Sequence, residues 1–248
     1  MADAPKSAAK RGSAPGITVD PRVLVAGGSV ALIGLVMLAF FLWMVPKASA
    51  REAKAACTGL RTTGPALCDG KPCPLPMEAP NFTAYDHAGK PVDFKQKYAG
   101  KVVLVNFWAS WCGVCKTEKP KLQLMAEELA GDDFVVVTLA SDRNWSDVLL
   151  ALVESLAPRT KIPDGEIELA QALDIYKRAL PKGLPFEVLL DPPAGDNNIG
   201  QIGTSWGIKA VPESALIDRK GVLRAYFVNK RDWHSPVAET CLRSVIDE

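Results

Sequence analysis

Asn106-Phe107-Trp108-Ala109-Ser110-Trp111-Cys112-Gly113-Val114-Cys115 is the stretch on which the reading turns. It closes an apolar, β-branched and aromatic run, Lys101–Trp108 (KVVLVNFW), bounded upstream by Gly100. Such a run suits a buried strand. Beyond Cys112, Leu122, Met125 and Leu129 recur near the helical period, and Gly131 ends the pattern. The CxxC therefore stands where a buried strand turns into a helix. Unpaired N–H groups and the helix dipole at that point favour an anion. A thiol there drops from about 8.5 into a range of about 3.5–7.5. The thiolate is the attacking form, so this placement predicts redox chemistry. Cys115 falls one turn further in, within reach of the first sulfur.

Two plainer readings compete with that one. A CxxC can be half of a zinc site, but no second CxxC or His pair completes four ligands, and His87 and His234 both lie far from any cysteine in the chain. It can also be a structural bridge, a role that seldom falls at a helix start. No metal or cofactor is expected.

The flanking segments give the order of elements. Upstream, Asn81–Asp86 and Pro91–Phe94 flank a Gly-containing turn, an N-terminal hairpin pattern. Downstream, Phe134–Ala140 (FVVVTLA) reads as a second buried strand, followed by Asp142 and a helix over Ser146–Ala157. Strand, helix, strand requires a parallel pair with a right-handed crossover. An additional piece, Pro158–Pro185, includes an expected helix over Glu166–Leu180. Phe186–Leu190 reads as a strand, Glu213–Asp218 and Val222–Val228 as a second hairpin, and Pro236–Ile246 as a closing helix.

Farther upstream, Val23–Val45 is an uncharged run of 23 residues. As a helix it reaches about 34 Å, against about 30 Å of bilayer hydrocarbon. It is too long for a typical signal core of about 7–15 residues, although Ala48-Ser49-Ala50 resembles a cleavage site. The expected organisation is a disordered cytoplasmic tail (1–22), a transmembrane anchor (23–45), a Pro/Gly/Cys-rich linker (46–79) and a folded domain (80–248) with an insertion near 158–185. Basic residues flank the apolar run on both sides, so the positive-inside rule is close to a tie. Cysteine usage breaks it toward an exported domain on a single-pass protein of the inner or cytoplasmic membrane. The net charge of +1 gives no nucleic-acid surface.

Cys57, Cys68, Cys73 and Cys241 remain. Four sulfurs allow three pairings, and the spacing does not choose among them. Structural disulfides are the expectation, with free or intermolecular thiols as the alternative. Cys241, in the closing helix, is a distant candidate partner.

With these residues in place, the chain resembles the thioredoxin superfamily, and within it the TlpA/ResA-like branch of exported, membrane-anchored reductases. The likeness rests on Val105–Pro120 (VNFWASWCGVCKTEKP) and, far downstream, on Trp206–Gly221 (WGIKAVPESALIDRKG). It implies an α/β thioredoxin fold, a central mixed sheet flanked by helices, carrying the hairpin, the inserted helical segment and the N-terminal transmembrane helix. By position it makes Cys112 the nucleophile and Cys115 the resolving thiol. Pro212 matches the cis-proline facing the dithiol, and Val211 beside it would pair with a bound substrate chain. Trp111 would face substrate, whereas Trp108 is as well explained by packing. Glu118 matches an acidic residue of this branch, where ordinary thioredoxins carry a strand Asp at the position of Asn106; it would tune the thiols and move protons to and from Cys115. An exposed first-turn Glu favoured by the helix dipole is the plainer account of it.

The resemblance further implies a reductase fed by a membrane electron donor and acting on disulfides of exported proteins, with apocytochrome c foremost. General exported disulfide exchange or oxidation is the alternative. A peroxiredoxin-like enzyme would need a single peroxidatic Cys, and a copper-delivery module would need wider Cys spacing and a His ligand. Neither pattern is present.

Overall fold

The computed structural model describes residues 20–59, 64–131 and 133–248, and falls into two units, Met1–Ser49 and Ala50–Glu248. The tail expected over 1–22 lies almost wholly outside the described residues. Helix α1 (Pro21–Gly59), whose residues to Ser49 belong to the first unit and the rest to the second, starts at Asp20, whose carboxylate accepts from the backbone N–H of Arg22 at 2.8 Å. Such a cap satisfies an N–H that the helix itself leaves unpaired. Leu24–Met44, with a mean hydropathy of 2.4, is long and apolar enough to cross a membrane, a property that membrane spans and signal sequences share. The helix extends past the expected anchor end at 45 and takes up the first part of the stretch assigned to the linker. The reason is compositional: Ala48, Ala50, Ala53, Ala55 and Ala56, with Arg51, Glu52 and Lys54, are strong helix formers, and after Pro46 no proline follows until Pro65.

The second unit is built on an eight-stranded mixed sheet. Its strands are β1 (Met77–Glu78), β2 (Thr83–Tyr85), β3 (Pro91–Asp93), β4 (Val102–Trp108), β5 (Phe134–Ala140), β6 (Glu187–Leu190), β7 (Glu213–Ile217) and β8 (Val222–Val228), in the spatial order β1-β8-β7-β4-β5-β6-β2-β3. Pairs β4–β5 and β5–β6 are parallel, and the remaining pairs are antiparallel. All seven residues of β4 are buried, which explains why its sequence is almost continuously apolar rather than alternating. The helices are α2 (Phe94–Lys97), α3 (Gly113–Glu128), α4 (Trp145–Leu156), α5 (Leu169–Ala179), α6 (Gln201–Ser205) and α7 (Pro236–Ile246).

Two cores sandwich the sheet. On one face Leu122 and Met125 of α3, Val148 and Leu152 of α4 and Leu242 and Val245 of α7 pack on Leu104, Val136, Leu216 and Phe227. On the other face Phe82, Phe94, Trp206 and Ile208 pack on Val105, Phe107 and Leu139. The inserted segment forms a satellite: Ala172 and Ile175 of α5, with Ile167, close over Leu149 and Val153 of α4. This is the thioredoxin fold. Three short elements, β1, α2 and α6, had no sequence signal, being two to five residues long.

All six cysteines are paired: Cys57 with Cys241, Cys68 with Cys73, and Cys112 with Cys115. Ala66, just ahead of the Cys68–Cys73 loop, lies against Gly207 in the connection between α6 and β7. Gly207 has φ +73, and a Cβ there would stand 2.5 Å from the Ala66 carbonyl oxygen, so only glycine fits both the backbone and the space.

Candidate active site

Strand β4 delivers the chain to the C-terminal edge of the sheet, and α3 starts at once. Cys112 is the N-cap of α3, in extended conformation (φ −86, ψ 98), and its sulfur accepts the backbone N–H of Cys115 at 3.1 Å. A sulfur held against the open N–H groups of a 16-residue helix is where a thiolate would gain most from the helix dipole. The approach to Cys112 is clamped by Asp142, just beyond β5, whose carboxylate accepts both the Ser110 backbone N–H (2.9 Å) and the Ser110 hydroxyl (2.5 Å). Burial raises the pKa of Asp142, while these two donors pull it back.

Access differs sharply between the two sulfurs. Cys115 is fully buried, whereas Cys112 keeps 8% of its surface and is flanked by Trp111 and Val114, both more than half exposed. The Val211–Pro212 peptide bond is cis, and the Val211 carbonyl oxygen stands 3.6 Å from Cys112 Sγ. A second cis bond, Leu75–Pro76, has no counterpart in the sequence reading. His87 is exposed with its ring near Trp145, and His234 stands 4.0 Å from Glu128.

Glu118 is not an exposed first-turn residue. It is buried one turn below Cys115, and its carboxylate accepts from the Trp233 indole (2.9 Å), the Arg231 backbone N–H (2.8 Å) and the Asn106 amide (3.3 Å). Burial pushes its pKa up, against the pull of these donors and of Lys119. Sequence reasoning missed Trp233 and Arg231, which come from the connection between β8 and α7 and carry no local signal. It also missed Lys119, which is fully buried with Nζ 2.8 Å from Asn106 Oδ1 and 4.1 Å from the Trp108 ring centroid. A signal existed: Cys115, Glu118, Lys119 and Leu122 are spaced i, i+3, i+4, i+7, which puts both charges on the apolar stripe of α3.

A dithiol at the start of a helix on a thioredoxin sheet, beside a cis-proline, defines the class: a thiol–disulfide oxidoreductase of thioredoxin-like fold. The chain belongs to the Redoxin family, whose profile matches residues 76–242. It is 26% identical over 155 residues to the thiol-disulfide oxidoreductase ResA of Bacillus thuringiensis, covering 62% of this chain and 70% of that protein. It is 29% identical over 125 residues to the thiol:disulfide interchange protein DsbE of Allochromatium vinosum, covering 50% of each. Among solved structures, a DsbE-type thiol:disulfide interchange protein from Chlorobium tepidum aligns over 68% of this chain and 96% of its own, at 24% identity and a TM-score of 0.49. The ResA-type resemblance carried by the motif residues agrees with the ResA and DsbE sequences.

Proposed function

We propose that this protein is a membrane-anchored reductase of disulfides in exported proteins, with apocytochrome c its foremost substrate. In this reading the Cys112 thiolate attacks a substrate disulfide, forming a mixed disulfide and expelling one substrate thiolate. Cys115 then loses its proton to Glu118 and attacks Cys112 Sγ. The Cys112–Cys115 disulfide forms, the second substrate thiolate leaves, and two electrons have passed to the substrate. A membrane electron donor returns the pair to the dithiol. Trp111 offers an apolar surface to the substrate, and the Val211 backbone beside Pro212 hydrogen-bonds its chain.

The observation that carries this reading is the asymmetry of the two sulfurs. The one with access to solvent is also the one held at the helix start and facing the Val211 carbonyl. Localisation is supported by the apolar span Leu24–Met44 and by three disulfides in one chain, a usage suited to an oxidising compartment. The N-terminus is then cytoplasmic and the thioredoxin-like unit exported.

The direction is tested by equilibrating the protein with glutathione and reading the Cys112–Cys115 couple. A reductase is expected to sit near the thioredoxin end of the scale, about −270 mV. A value near the oxidant end, about −120 mV, would reverse the assignment. The substrate is tested with an oxidised CxxCH peptide against insulin. Faster reduction of the peptide supports haem-site disulfides; equal rates support general exchange.

A further inference from the structure

Beneath the dithiol lie two charges that the reaction outlined above uses only in part. Glu118 and Lys119 are consecutive on α3, so they do not face each other directly. Both nevertheless reach the same side chain. Asn106, in the buried strand β4, accepts at Oδ1 from Lys119 Nζ (2.8 Å) and donates from Nδ2 to Glu118 (3.3 Å) and to the Ser214 hydroxyl (3.0 Å). An ammonium only donates, so Lys119 fixes which end of the amide faces it. The oxygen is thereby committed to Lys119 and the N–H to Glu118. A reversed amide would set its oxygen against a carboxylate and its N–H against an ammonium, losing two bonds in a buried site.

We propose that Lys119 is a positioning residue that, through Asn106, keeps Glu118 in the ionised, proton-accepting state needed to activate Cys115. The inference rests on the role assigned to Glu118 above. Its geometry is specific: the ammonium has Asn106 Oδ1 on one side and the faces of Trp108 (4.1 Å) and Phe186 (5.9 Å) around it. A buried cation on aromatic faces retains part of the stabilisation that water would give. The other groups around Glu118 are Cys115 on its own helix and the connection from Lys230 to Trp233, where Lys230 bonds Thr117 and Asp232 lies 3.8 Å from Lys121. Burial holds the Lys119 ammonium down to about 7, and the neighbouring carboxylate opposes that fall. The two charges therefore support one another, and loss of the cation makes Glu118 easier to protonate.

The test is stopped-flow reaction of the reduced protein with dithionitrobenzoate, in which two coloured thiolates are released in turn. The first phase reports attack by Cys112 and the second reports attack by Cys115. Lys119→Met is expected to leave the first phase unchanged and to slow the second roughly tenfold at mildly acidic pH. Its acid limb moves toward higher pH, because the rate rises as the base ionises and the base now ionises later. In a Glu118→Gln background the same substitution is expected to change neither rate nor profile. That double variant removes both charges, and so leaves no lone buried ion to unfold the domain. If Lys119→Met does not fold, Lys119→Gln carries the test, because it removes the charge while an amide N–H can still donate to Asn106 Oδ1, with the same displacement expected. An unchanged acid limb in the folded variant, or an undiminished effect in the Glu118→Gln background, overturns the proposal. If Glu118→Gln itself leaves the second phase intact, the role of Glu118 falls as well. If Glu118→Gln slows that phase and Lys119→Met does not, only the part given to Lys119 falls.

Discussion

A Cys115→Ser variant is expected to turn over substrate at least about 10⁴-fold more slowly at millimolar external thiol, while a covalent complex through Cys112 accumulates. The magnitude follows from effective concentration. Well-oriented intramolecular reactions reach effective molarities of about 10⁵–10⁸ M, and even a thiol far short of that limit outruns a millimolar competitor by this factor. Cys115 is buried beneath Cys112 with its backbone N–H already on the Cys112 sulfur at 3.1 Å, so little movement separates the two states. The first step should be untouched, because the N-cap position of Cys112 and the Val211 carbonyl beside it do not depend on the second sulfur. Residual turnover should then rise linearly with added thiol, which now resolves the complex from outside. Cys112→Ser is expected to lose both the complex and the turnover. Gel mobility of the trapped adduct under non-reducing conditions reads the contrast directly. A complex that forms equally well in Cys112→Ser would mean that Cys115 attacks first, and the proposed order of the two sulfurs would be lost.

Much of this architecture was legible because its signals are local. KVVLVNFW and FVVVTLA are almost continuously apolar because β4 and β5 are covered on both faces, and such runs announce themselves in the sequence. The position of the CxxC between strand and helix was readable for the same reason. Pro212 entered only through resemblance, since nothing in the order of residues marks a proline as cis. The rest of the site depends on long-range placement. Glu118 draws donors from residues 113 and 115 positions away, and no neighbour in the chain hints that Trp233 and Arg231 arrive there. Lys119 sat in a helix rich in lysines, where Lys116 and Lys121 do lie toward solvent. Only its phase relative to Cys115 and Leu122 set it apart. The pairing of Cys57 with Cys241 spans 184 residues and could not be chosen from spacing.

That long pairing carries the second large effect. Replacing Cys57 and Cys241 together by Ala is expected to destabilise the thioredoxin-like unit by about 2–5 kcal/mol, with the proposed redox pair left working at room temperature. The bond joins the last turns of α1 to α7 and encloses 184 residues of separation, nearly the whole folded unit. In the chain-entropy account a loop of that size restricts the unfolded state by about 5 kcal/mol. The Cys68–Cys73 bond, with a separation of 5, restricts it by only about 2 kcal/mol. Its removal should therefore be the milder change, even though it too staples the segment ahead of the sheet. Packing adds to the cost at the α7 end, since Cys241 is fully buried beside Leu242 and Val245. Denaturant unfolding of the oxidised protein separates the two contributions. Release of a long crosslink lets the unfolded chain expand and expose more surface, so the denaturant slope should rise while the midpoint falls. A lower midpoint with an unchanged slope would place the stabilisation in native contacts around Cys241. An unchanged midpoint would remove the staple from any account of what holds α7 on the sheet.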